Sequence, residues 1–411
     1  MIELIKNVLW SPLTVINILL LGLFIIVKTH FYTVIKLPKI LSDTVSSIKN
    51  NKRAFSLMCT SLGGTIGVGN AIGVAGAITE GGAGAVFWMA IAGFIGMAIK
   101  YAEVYLSMIY NGPIMYIEKG IGSKILSHIY AIMCICVSLG MGNMAQTMSA
   151  TTAVQGIIPF NQKTIALIFV LFFLCVAKDG IEKIRKFSEF AVPLASLLYI
   201  LMLFAILFRH RIYLHEAIKT ILNGSGIAAG FKWALIKDGI TKGFSKAVFS
   251  SEAGLGSAGF SHTESYSEPK EQAKWAVIEV LIDCMICIMT ALAIIVSEKQ
   301  VIHLPESYIT RGVFRLSFGA LGEAVFGFSM LIFGFASIIC WYYNGVCAVK
   351  YICKSKTTTK LYCVIFAIVI FLSSFVRDGF ILDISDIANA LMLIVNICAL
   401  WVLVLNNSLT F

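Results

Sequence analysis

The sequence predicts an all-α membrane protein of about eleven transmembrane helices, built as a five-plus-five inverted repeat behind one extra N-terminal helix. Three observations predict it. Charge is scarce, apolar runs of spanning length recur along the whole chain, and two of those runs are interrupted by glycines and small polar residues.

Charged residues make up 13% of the 411 residues and apolar residues 58%, with a mean hydropathy of +0.88. Soluble domains carry about 25% charged residues. A chain with half that amount cannot cover a water-facing surface, so lipid is its expected solvent. The net charge of +10 does not point to nucleic acid. Most Lys and Arg residues sit between apolar runs, where they orient helices in a bilayer. Eleven cysteines are present, most of them inside apolar runs. Cys284 and Cys287 form a C-x-x-C with no partner pair, and they read as small hydrophobes rather than zinc or redox ligands.

The runs fall near 11–33, 54–79, 83–110, 128–155, 163–178, 187–208, 241–262, 274–297, 322–347, 361–377 and 384–405. The first lacks a basic leader and a small-residue cleavage site, so it is expected to be a retained helix. The chain divides into an N-terminal helix with a cytoplasmic loop (1–53), a first five-helix repeat (54–208), an extracellular interfacial segment (209–240) and a second repeat (241–411). Basic loops hold Lys28, Lys36, Lys39, Lys49, Lys52 and Arg53, then Lys178, Lys183, Arg185 and Lys186, then Lys350, Lys354, Lys356 and Lys360. All three fall on one side if every run spans once. The positive-inside rule then places the N-terminus outside and the C-terminus in the cytoplasm. The loop holding Arg377 also carries Asp378 and Asp383 and fits the outer side. Residues 209–246 are basic and conflict with that placement; they read as an interfacial element.

The second run contains Gly63-Gly64-Thr65-Ile66-Gly67-Val68-Gly69-Asn70, and the seventh contains Phe249-Ser250-Ser251-Glu252-Ala253-Gly254-Leu255-Gly256-Ser257. They stand five runs apart, with four runs between them, so they cross in opposite directions. Paired interruptions of this kind point to a transporter site. A broken helix frees N–H groups that suit a carboxylate and C=O groups that suit sodium. Glycine lets a ligand approach the backbone, and Asn70 adds an oxygen for a hard cation. The competing reading is that the glycines serve close helix packing.

Glu252 is an intramembrane acid, which could neutralise a cation, an ammonium group or a proton. A bond to the broken backbone is the preferred expectation, because Ser250, Ser251 and Ser257 already supply polar ligands. Asn143 and Gln146 share a helix face; amides there bond a neighbouring helix or line a cavity. Ser337 and Trp341 share another face, as ion ligand and pocket wall, or as an interfacial anchor. Lys100 and Glu103 are expected to pair or snorkel. Asp283 suggests a gate or a proton path.

Taken together, these motifs resemble the alanine or glycine:cation symporters, the sodium:alanine symporter family. The matching strings are GTIGVGN (Gly64 to Asn70), GGAGAVFWM (Gly81 to Met89), GMAIKYAE (Gly96 to Glu103), GPIMYIEKGIG (Gly112 to Gly122), GMGNMAQ (Gly140 to Gln146), FSSEAGLGS (Phe249 to Ser257) and SIICWYYNG (Ser337 to Gly345). They cover roughly residues 54 to 350 in the family order. The resemblance implies a LeuT-like core of ten helices and sodium-coupled import of alanine, glycine or another small neutral amino acid across a prokaryotic inner membrane. It implies no cofactor beyond the coupling sodium ion and no catalytic residues. It places Thr65, Gly67, Gly69 and Asn70 at the substrate carboxylate, with Gln146, Phe249, Gly254 and Trp341 around the substrate. Sodium is placed on the carbonyls of Gly63 and Ile66 with Ser337. Ser251, Ala83 and Ser337 depart from the family pattern, which usually has Asn, Pro and Thr there, and the loop before Gly112 is short. The alternatives are a proton-coupled transporter using Glu252 or Asp283, or a channel or membrane enzyme. No Ser-His-Asp, HExxH or P-loop pattern supports the enzyme.

Overall fold

The computed structural model describes residues 2–48, 51–67, 69–177, 180–226, 233–376 and 378–406. Val68 of the first interruption, and Lys49, Lys178 and Arg377 of the orienting loops, lie outside the described residues. So do residues 227–232 of the interfacial segment.

The chain forms helices throughout the described residues. A short α1 (Ile2–Leu9) leads into α2 (Pro12–Lys28). After short helices at Tyr32–Ile35 and Leu37–Ser47 come α3 (Lys52–Thr65) and α4 (Gly69–Gly81), bent by 51° at the first interruption. They are followed by α5 (Gly84–Tyr110), α6 (Lys124–Val154), α7 (Gln162–Ala177) and α8 (Ile181–Arg209). A short α9 (Leu214–Gly224) precedes α10 (Trp233–Ser251) and α11 (Ala258–His262), which flank the second interruption. The chain closes with α12 (Pro269–Val296), α13 (Glu306–Ile352), α14 (Lys356–Phe375) and α15 (Asp378–Leu405).

Every one of the eleven apolar runs falls on one of these helices or helix pairs. Among the described residues, seven helices are long and apolar enough to cross a membrane, or eight with α3 and α4 counted as one span; α2 and α7 are apolar but shorter. The pair α10 and α11 stands outside that count because Lys242, Lys246 and several serines dilute its hydropathy. The long α13 is two helices in one: Phe318 and Gly319 leave helical geometry, with Gly319 at φ 60°.

Local chemistry sets the ends. Asn51 caps α3 by accepting from the Ala54 N–H at 3.2 Å, and Ser123 caps α6 in the same way. Asn111 ends α5 in the left-handed conformation, followed by Gly112 and Pro113, which cannot continue that helix. The lipid-facing surfaces carry exposed Leu, Ile and Phe, such as Leu167, Phe172, Phe190 and Phe204. The polar side chains point inward instead. In α9, Ile218 and Leu222 are exposed while Ala217 and Ile221 are buried. This arrangement suits an element lying along the membrane surface.

Candidate functional site

The first interruption follows from its residues. α3 stops at Thr65, and Ile66 is extended at ψ 117°. α4 starts with a wide π-helical turn, Gly69–Gly73. Such turns frequently mark functional sites. Asn70 holds the break. Its Oδ1 accepts from the Gly67 N–H at 3.0 Å, and its Nδ2 donates to Asp283 Oδ1 at 2.7 Å. The Ser250 hydroxyl donates to the same Asp283 oxygen at 2.8 Å. Cys287, one turn along α12, contacts both, at 3.3 and 3.1 Å.

The two broken helices cross at this point. A Cβ on Gly69 would lie 2.4 Å from Ser250 Cα, so only glycine permits the approach. A Cβ on Gly67 would lie 2.5 Å from Gln146 Oε1. Gln146 itself follows a second π-helical turn, Gly140–Ala145. In that turn Gly142 makes a notch for an indole: a Cβ there would lie 2.2 Å from Trp341 Cγ. Trp341 is fully buried and donates from Nε1 to Glu252 Oε1 at 2.7 Å. It is therefore a core wall rather than an interfacial anchor. One turn earlier, Ser337 donates to the Gly64 carbonyl at 3.0 Å.

The structure thus gathers Gly67, Gly69, Asn70, Gln146 and Ser250 at the crossing, with Phe249 beside Ser250 in sequence and Trp341 against the Gly142 turn. Thr65 directs its hydroxyl back to the Leu62 carbonyl at 3.0 Å. Gly63 packs closely, since a Cβ would lie 3.0 Å from Val192 and 3.1 Å from Ala336. The carbonyl that Ser337 engages is that of Gly64, not that of Gly63 or Ile66. Gly254 stands at φ 100°. A Cβ on it would meet α15, lying 2.7 Å from Leu393 and 3.5 Å from Ile397.

The second break is held by side chains from other helices. Asn396 donates to the Gly254 carbonyl at 2.8 Å, Tyr130 donates to the Leu255 carbonyl at 2.7 Å, and the Gly256 N–H donates to Glu103 at 2.9 Å. Lys100 donates to the Ser251 carbonyl at 2.7 Å and forms an ion pair with Glu279. Glu279 also accepts from Ser61 at 3.0 Å and lies 3.4 Å from His262. Two expectations are corrected here. Lys100 and Glu103 do not pair with each other or snorkel; both are fully buried and serve the break separately. Glu252 does not bond the broken backbone through its carboxylate, which goes to Trp341 and to the Ser257 hydroxyl. Asn143 meets its interhelix expectation by donating to the Phe366 carbonyl at 2.8 Å. Asn396 and Tyr130 were missed. An amide inside an apolar run was the available signal for Asn396.

Burial closes the crossing on both sides. Thr65, Asn70, Gln146, Phe249, Ser337 and Trp341 are each at most 3% exposed. Toward the end of α4 a charged layer lies over Phe249. Lys246 sits 5.9 Å from the Phe249 ring, 3.2 Å from Asp386 and 3.7 Å from Glu80. Lys6 of α1 reaches Asp383 at 2.6 Å and Asp386 at 3.8 Å. Trp10 donates to the Asp386 carbonyl at 3.2 Å.

The chain is similar to known proteins in sequence and in fold. The chain is 29% identical to the sodium/alanine symporter AgcS of Methanococcus maripaludis, over 98% of this chain and 94% of that one. It is likewise 29% identical to the probable sodium/glutamine symporter GlnT of Bacillus subtilis, covering 97% and 87%. Among solved structures, the MhsT complex with L-phenylalanine superposes with a TM-score of 0.63 at 14% identity, over 84% of this chain and 87% of that one. That likeness establishes the LeuT-like fold. The profile described as the sodium:alanine symporter family matches residues 1–408. The chain belongs to the sodium:alanine symporter family and is a multi-pass membrane amino-acid symporter rather than an enzyme.

Proposed function

We propose that the protein imports a small neutral amino acid, alanine or glycine, driven by a sodium gradient through alternating access. The observation that carries this reading is the crossing of two interrupted helices inside a closed, buried core. The wide turn after Ile66 offers backbone N–H groups that suit a carboxylate. The carbonyl end of α3, with the Ser337 hydroxyl on Gly64, offers oxygen ligands for a hard monovalent cation. Gly63 and Ile66 are one residue and two residues from Gly64, so their carbonyls belong to the same candidate cluster. Gln146 and Phe249 stand beside the crossing, and Trp341 pressed against Gly142 narrows it toward small side chains. Gly254 is assigned to the frame of the second break, not to the substrate.

Substrate and sodium would fill the crossing together, and their binding would favour the states in which both ends are closed. A ligand shifts such an equilibrium only by its difference in affinity between the states. No cofactor is required. The cytoplasmic membrane, with the N-terminus outside, completes the reading. A second reading has one observation in its favour: Asp283 is a buried acid within hydrogen-bond reach of Asn70, where a proton could replace sodium.

Uptake of labelled alanine and glycine into proteoliposomes tests both. Sodium outside should drive uptake against the substrate gradient, and choline should abolish it. Uptake that ignores sodium and follows a pH gradient would select the proton reading. No uptake under either gradient by folded protein would refute both.

A further inference from the structure

Glu252 is the residue at which the two breaks meet. It sits in the second break at φ 56°, a left-handed conformation that non-glycine residues rarely adopt. Only glycine would relieve that backbone, so the acid holds its place against a conformational penalty. Its carboxylate leaves its own segment and reaches the first break. A Cβ built on Gly64 would lie 3.7 Å from Glu252 Oε1. The Gly64 carbonyl is the group that Ser337 engages. Both carboxylate oxygens are held, Oε1 by the Trp341 indole and Oε2 by Ser257. The residue is 3% exposed.

Two neutral donors position this carboxylate without supplying positive charge. Lys100 is engaged by Glu279 and the Ser251 carbonyl. Among the described residues, no cationic side chain forms an ion pair with Glu252. Lys100 is the nearby cation, but it is shared with Glu279, so the buried Glu252 carboxylate has no ion-pair partner of its own, and such acids within membranes mark functional sites.

We propose that Glu252 supplies the fixed negative charge that balances the cation entering the crossing of the two breaks, either the coupling ion or the ammonium group of the substrate. This rests on the symport reading above. Trp341 and Ser257 are the positioning residues, because they lock the carboxylate toward Gly64. The charge then serves two ends: it attracts the cation and links the two broken helices through it.

The test uses the full chain in proteoliposomes, with half-saturating sodium and half-saturating alanine measured separately. Wild-type protein that shows no sodium-driven alanine uptake defeats the symport reading itself. With wild-type uptake in hand, Glu252→Gln should raise one of the two half-saturating concentrations about tenfold or more, as expected for loss of a nearby opposite charge. A rise in the sodium value assigns the charge to the ion, and a rise in the alanine value assigns it to the ammonium group. Glu252→Asp covers the case in which the neutral variant does not fold: drawing the carboxylate back by one methylene should shift one value about threefold or more. A merely structural role would lower the thermal midpoint and leave both values in place. Unchanged half-saturation for sodium and alanine in the folded variant overturns the proposal.

Discussion

At Gly67 a single hydrogen decides whether the crossing fits. Its missing side chain faces Gln146, and any Cβ would come within 2.5 Å of the amide oxygen. Gln146 is a flexible side chain, so the clash can be relieved from its side. Gly67→Ala should therefore lower alanine uptake by about tenfold. Gln146→Ala should recover part of that loss in the double variant, because residues in contact are not additive. Additive losses in a double-mutant cycle would show that the two do not share the site. Trp341 offers a second residue-level test. Trp341→Phe keeps a ring in the Gly142 notch but removes the donor to Glu252. A buried acceptor left short of one partner costs about 1–3 kcal/mol. The variant should unfold at a lower temperature in detergent than wild type, by near-UV circular dichroism. An unchanged midpoint would mean that the indole bond contributes little.

The elements show what a sequence can and cannot disclose. Both breaks were legible, because the glycine clusters recur in two apolar runs five apart, whereas a single cluster suits close helix packing equally well. The π-helical turn at Gly140 to Ala145 was legible only as a string of glycines and amides. The supports of the second break were not legible. Lys100 and Glu103 stand one turn apart on α5, and spacing alone suggests that they pair. Their actual partners, Glu279 and Asn396, lie on α12 and α15, far away in the chain. Local periodicity carries no information about such long-range contacts. Glu252 reads as a backbone tether for the same reason: the indole that takes its carboxylate is 89 residues away. The Lys100–Glu279 pair predicts a large effect at this scale. Both side chains are fully buried, and removing one partner of a buried pair costs about 3–5 kcal/mol. Lys100→Met should be strongly destabilised in thermal unfolding. Adding Glu279→Gln should restore much of the stability, since no charge is then left alone. A double variant as unstable as the sum of the singles would mean that the lysine matters mainly through the Ser251 carbonyl.

For the molecule as a whole, alternating access requires that the crossing be closed on one side at a time, or on both in passing. On the proposed mechanism, the charged layer over Phe249 would provide one closure. It draws Lys6 from α1, Glu80 from α4, Lys246 from α10, and Asp383 and Asp386 from α15. Asp386 is the hub, since it meets both Lys6 and Lys246 and is 2% exposed. Neutralising the hub leaves Lys6 with Asp383 and Lys246 with Glu80, and removes the carboxylate that joins the two ammonium groups. The closed arrangement then loses stability relative to the open one, and the equilibrium shifts by that difference alone. Phe249 is the residue that such opening uncovers. In a background lacking reactive cysteines, Phe249→Cys should be labelled slowly by a membrane-impermeant thiol reagent added from outside. Adding Asp386→Asn should speed that labelling by about tenfold, the effect of roughly 1.4 kcal/mol on the population of the open state. Faster labelling from the outside also fixes the direction in which α4 ends, and with it the outward placement of the N-terminus. Faster labelling only from the inside would reverse the orientation drawn from the basic loops. Unchanged labelling from both sides would mean that the charged layer holds α1 in place without closing the path.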